Sequence, residues 1–147
     1  MIDYCYRFLC LCLLSLVPYL STAQTPIDWI ALADIQLEEK SDPEFGIDYF
    51  QASFGSIATF EGQEVSIKGF IIPLDPLGTQ YVLSRNPQTS CFFCGGAGPE
   101  TVLKLELKPS AFKRYKTDTN LTFKGTLKLN TDTREDLLYV LEEAEEF

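Results

Sequence analysis

The chain has 147 residues, 21 Asp or Glu against 12 Lys or Arg, a net charge of −9 and no histidine. That length supports one domain with a real core, and the acidic balance excludes nucleic acid as a partner, since phosphate backbones are held by cations that release counterions. Without an imidazole no Ser-His-Asp or Cys-His hydrolase can be built, nor a zinc site containing His.

Residues 1–23 read as a signal peptide. Phe8 to Val17 is apolar but too short to span a bilayer, and Pro18 and Ser21-Thr22-Ala23 supply the exit with small residues at the cleavage positions. The basic flank is weak, Asp3 offsetting Arg7, which leaves a retained amphipathic anchor as the alternative. Cys5, Cys10 and Cys12 fall in this segment and lack a lipid-attachment pattern. The remaining chain holds no apolar run of spanning length, so it is expected to be an exported soluble domain, periplasmic or extracellular.

Residues 24–60 form an N-terminal arm. Asp28 can cap a short helical turn containing Trp29, Ile30 and Leu32. Ser41 to Gly55 reads as irregular, with exposed acids and several aromatics. Asp34, Glu38, Glu39, Asp42 and Glu44 lack the spacing of a calcium loop and suit a solvated face.

Residues 61–147 read as strands. Val65, Ile67 and Ile71 alternate with polar neighbours, and Gly69 marks a bulge or a corner. Tyr81-Val82-Leu83 is a short second strand; Leu103, Leu105 and Leu107 form a third; Leu121, Phe123, Leu127 and Leu129 form a fourth, with Gly125 at a close approach. Residues 136–146 fit either a helix capped through Thr133 or a strand through Leu138-Tyr139-Val140-Leu141. The β character of Tyr139-Val140 favours the strand, to about Leu141, with Glu142, Glu143, Glu145 and Glu146 as a solvating tail. The connection Pro109 to Asn120 holds Ala111, Phe112 and Tyr115, enough for one helical turn plugging a barrel end. The expected fold is mainly β, a small five-stranded OB-like Greek-key barrel with an N-terminal arm; a small sandwich is the competing architecture.

Gly62-Gln-Glu-Val-Ser-Ile-Lys-Gly-Phe-Ile-Ile-Pro-Leu74, then Tyr81-Val-Leu-Ser84, then a Cys-containing loop ending in Pro99, resembles a group of exported bacterial proteins known only as a domain of unknown function. The resemblance covers roughly residues 28 to 143 and implies an exported OB-like domain without an established activity. Many members of that group carry a His and several prolines in the corresponding loop, where this chain has Cys91, Cys94 and Gly95-Gly96.

Cys91-Phe-Phe-Cys94-Gly-Gly-Ala-Gly-Pro99 carries the chemistry of the domain. In an oxidising compartment the first reading is a Cys91–Cys94 disulfide, which by chain entropy contributes about 2 kcal/mol at most for so small a loop. The second is zinc or copper binding through Cys91 and Cys94: the motif is half a zinc knuckle, and two thiolates alone suit Cu(I) better. The third is a thiol–disulfide oxidoreductase, which Gly95, Gly96, Gly98 and Pro99 disfavour by denying the motif a helix. The favoured reading is a non-enzymatic binding or accessory module, for a protein or small ligand, whose contact loop comprises Arg85, Phe92, Phe93, Gly95, Gly96, Pro99 and Glu100 around the cysteine pair.

Overall fold

The computed structural model describes residues 24–134 and 136–147. The expected signal segment and its three cysteines lie outside those residues. The described chain contains β1 (Thr25–Pro26), α1 (Trp29–Leu32), β2 (Ile35–Ser41), β3 (Asp48–Phe54), β4 (Glu64–Pro73), β5 (Tyr81–Ser84), β6 (Val102–Leu107), β7 (Asn120–Leu129) and β8 (Tyr139–Glu146).

Strands β4 to β8 close into a barrel. β4 pairs antiparallel with β5 and with β7, β5 with β6, and β7 with β8, while β6 and β8 run parallel. A five-stranded Greek-key barrel in which the third and fifth strands pair in parallel is the OB arrangement. Period-two patterning builds it. Val65, Ile67, Ile71, Tyr81, Leu83, Leu103, Leu105, Phe123, Leu127, Tyr139 and Leu141 all point inward and form one buried core. The outward positions of β6, β7 and β8 carry charge instead: Lys124 and Lys128 of β7 pair with Glu145 and Glu142 of β8, and Lys104 of β6 pairs with Asp136 in the β7–β8 connection.

Gly69 and Gly125 both sit where backbones crowd. β4 leaves its pairing with β7 and takes up β5 around Phe70, one residue past Gly69. A Cβ at Gly69 would lie 2.7 Å from the carbonyl oxygen of Ser84. At Gly125 the β7–β8 register shifts, and a Cβ would lie 2.5 Å from the carbonyl oxygen of Glu142. β8 absorbs the bulge through Glu143, which adopts a left-handed φ of 51°.

β8 runs five residues beyond the expected end at Leu141, to Glu146. The supposed acidic tail is therefore strand: Glu142 meets Lys128, Glu145 meets Lys108 and Lys124, and Glu146 meets Lys113. The Pro109–Asn120 connection makes one short 3₁₀ turn, Pro109–Ala111. Tyr115 packs edge-on against Tyr81 and Phe123, each at 5.4 Å between ring centres, while Phe112 stays exposed.

The arm joins this barrel. Asp28 caps α1 by accepting from the amides of Ile30 and Ala31. β1 pairs parallel with β4, the Trp29 indole donates to the Lys68 carbonyl at 2.7 Å, and Leu32 is fully buried in the barrel core. The buried Tyr139 hydroxyl donates to the Leu32 carbonyl at 2.6 Å. Residues 41–55, expected to be irregular, belong mostly to the β2–β3 hairpin, in register from Ile35 opposite Phe54 to Ser41 opposite Asp48. Its turn is built by Asp42, which accepts from the amides of Glu44 and Phe45, and by Gly46 at φ 64°. β3 is stitched to the β7–β8 connection by Ala52 N–H to the Thr131 carbonyl at 2.7 Å and Thr133 N–H to the Phe50 carbonyl at 3.0 Å. Among the described residues no helix is long and apolar enough to cross a membrane.

Two substitutions test this architecture by urea denaturation. Tyr139→Phe orphans a buried carbonyl and is expected to lower stability by about 1–3 kcal/mol. Gly125→Val drives a branched side chain into the β8 backbone and is expected to cost about 1–3 kcal/mol or more; a wild-type midpoint for either would refute the corresponding contact.

Candidate functional site

The cysteine loop spans β5 to β6 and is closed at its base by the Arg85 amide, which donates to the Thr101 carbonyl at 2.9 Å. Three short 3₁₀ turns shape it: Gln88–Ser90, Phe92–Cys94 and Pro99–Thr101. The loop doubles back over the outer face of the barrel. Ile72 and Val82 alternate with the inward Ile71 and Leu83, so they face out; there they meet Cys91 and the half-buried Leu137 in a second apolar cluster. Cys91 is 1% exposed. It is the anchor of the loop.

Cys94 has the opposite environment. Its amide donates to the Cys91 carbonyl at 3.2 Å, its thiol donates to the Gln88 carbonyl at 3.1 Å, and the residue is exposed. The two cysteines are free thiols, which corrects the expected disulfide. The physical reason is the turn between them: it seats the first sulfur against Ile72 and Val82 and leaves the second at the surface. The thiols still lie alongside one another. Partial desolvation pushes the Cys94 thiol above its ordinary range, and Cys91 beside it adds to the effect. That is the reverse of the lowered pKa that a redox nucleophile needs.

The glycines serve the turn rather than a ligand. Gly95 takes the left-handed φ of 72° that ends the 3₁₀ turn, and a Cβ at Gly96 would lie 2.8 Å from the Ser90 carbonyl. Pro99 is buried at the start of the last turn. Phe92 and Phe93 stack edge to face at 5.4 Å, Phe92 half-buried and Phe93 49% exposed. The Arg85 side chain is exposed and, among the described residues, makes no ion pair. The Glu100 carboxylate folds back over Gly98. Among the described residues no three Cys, Asp or Glu side chains converge, so the four ligands of a closed zinc site are not assembled within one chain.

A second concavity, of about 810 Å³, was not legible beforehand. It opens between the β2–β3 turn and the β7–β8 connection, lined by Asp42, Phe45, Lys128, Asn130, Asp132 and Arg134. Arg134 ties its two walls together, pairing with Asp42 at 3.5 Å and Asp132 at 3.0 Å and lying 4.7 Å from the Tyr49 ring centre. Hydrogen bonds from Glu44 and Phe45 amides hold the Asp42 carboxyl below its usual range, and Arg134 does the same for Asp132. Asn130 donates to the Leu137 carbonyl and Lys128 pairs with Glu142. Each of these polar groups has a partner, and the Arg134 pairs with Asp42 and Asp132 tie hairpin to barrel, which makes the cleft a strut.

Comparison with protein-family models, characterised proteins and solved structures found no match to this chain.

The opposed burial of the two thiols predicts their chemistry. In the native protein an alkylating reagent should modify Cys94 alone, with Cys91 reacting only after denaturant is added. Because its thiol is raised, Cys94 should gain rate only above the pH range of ordinary cysteine. Mass spectrometry after timed quenching reads both, and equal native reactivity of the two residues would overturn the seat described for Cys91.

Proposed function

We propose that the chain is an exported, non-catalytic binding module whose contact surface is the 85–101 loop. Membership of the exported bacterial domain-of-unknown-function group belongs to the same proposal and rests on residues 62–74 and 81–84. The observation that carries the reading is the division of the loop into a buried half and a displayed half. Cys91 and Pro99 bury the loop's own anchors, while Phe93 and Cys94 are held outward on a frame of tight turns. An exposed aromatic fixed by its backbone loses little entropy when a partner covers it, which is how rigid contact residues gain affinity.

The oligonucleotide use common among OB barrels is disfavoured by the same geometry. The outer face of the second barrel strand, which with the third takes such ligands, is covered here by the loop itself, and all four residues of β5 are buried. The lysines on the neighbouring outer strands are committed to carboxylates. What remains exposed at the loop is small and apolar, suited to a protein surface or a small ligand.

The test places a photo-reactive benzoylphenylalanine at position 93 in cells exporting the chain, with the same group at exposed Lys68 on β4 as control. A discrete, saturable adduct from position 93 alone is the expected outcome. Identical adducts from both positions, or none from 93, would sink the assignment of this surface.

A further inference from the structure

We propose that Cys91 and Cys94 together hold one soft monovalent metal ion, Cu(I), in two-coordinate fashion. The whole chain contains no histidine, and its single methionine is Met1, so neither an imidazole nor a thioether from the folded domain can join a site. Among the described residues no third thiol or carboxylate converges with others into a cluster. Zinc is thereby left two ligands short within one chain, whereas a pair of thiolates alone completes a linear Cu(I) site.

The local backbone then places the pair. Residues 92–94 form one 3₁₀ turn, and the Cys91 carbonyl accepts from both the Cys94 and the Gly96 amides, each at 3.2 Å, which pins the two cysteines onto one loop crossing. Cys91 brings a dry wall of Ile72, Val82 and Leu137; Cys94 brings access from solvent. A sulfur donor backed by hydrocarbon and a second donor at the mouth are what a soft ion needs: entry from one side, exclusion of water and oxygen donors from the other. Binding balances simply. Each thiol releases its proton to solvent as its sulfur–copper bond forms, copper enters and remains monovalent, and the site gains one negative charge overall.

The proposal uses the same loop as the contact surface above, yet the two fail separately, because cross-linking from position 93 requires no ion. The test titrates the reduced, folded protein with Cu(I) without oxygen, against a chromophoric Cu(I) chelator, and repeats the titration with Zn(II). One Cu(I) per chain, with X-ray absorption showing two sulfur neighbours, is the expected result. Cys94→Ser changes an exposed side chain, and Cys91→Val keeps the apolar seat filled; both should fold as wild type by circular dichroism and both should lose the ion. Retention of Cu(I) by either variant, half an ion per chain with dimer formation, or Zn(II) bound as tightly as Cu(I), would each overturn the site.

Discussion

β4 is hydrogen-bonded to two different partners along one length: its first seven residues run against β7 and its last four against β5, sharing Phe70. This double pairing converts a meander into a closed barrel, and every other feature hangs from it. Closure requires the strand to turn sharply within itself, and Gly69 sits at that turn with Ser84 and Trp29 pressed against its Cα hydrogens. Were the strand straight, β7 would be an edge, the core between β4 and β7 would be open to water, and the β5–β6 connection would have no floor to lie on.

On that frame the chain distributes its polar and apolar groups by position rather than by segment. The inward residues are almost wholly hydrocarbon, and Tyr139, the largest polar exception at full burial along with Tyr81, spends its hydroxyl on the arm. Burial pushes the Tyr139 phenol far above its normal range, which favours the neutral hydroxyl that donates to Leu32. The arm thus adds to the barrel core: Leu32 from α1 and Ile57 from a 3₁₀ turn at Ser56–Phe60 reach the same cluster as the barrel residues. They supply hydrocarbon that the Pro109–Asn120 connection provides only through Tyr115.

The barrel strands were legible because Val65-x-Ile67, Leu103-x-Leu105-x-Leu107 and Phe123 to Leu129 alternate over enough residues to leave one interpretation. The hairpin was not, although Ile35, Leu37, Ala52 and Phe54 also alternate. Its apolar face is half-buried except at Ala52, Glu38 and Glu39 sit together, and so the acids dominated the pattern. The turn signal was present in Asp42 and Gly46. β8 was read short for a related reason: Glu142, Glu145 and Glu146 look like a solvated tail until the lysines of β7 and the β6–β7 connection are brought beside them, and a sequence carries no such proximity. The cysteine spacing showed that the sulfurs are neighbours but not that one faces Val82. Likewise, nothing local links Asp42 to Arg134, since their meeting depends on the hairpin docking against the far end of the barrel.

The shortest barrel strand has a particular dependence. β5 has only four residues, and each is buried, two by the barrel interior and two by material lying outside it. Val82 and Ser84 would be wetted if the cover moved, and so short a ribbon has few hydrogen bonds with which to resist. Strand and cover therefore share one apolar seam, in which Val82 of the strand meets Cys91 of the loop. Whatever covers the loop from outside is thus only one side chain, Cys91, away from the wall of the barrel itself.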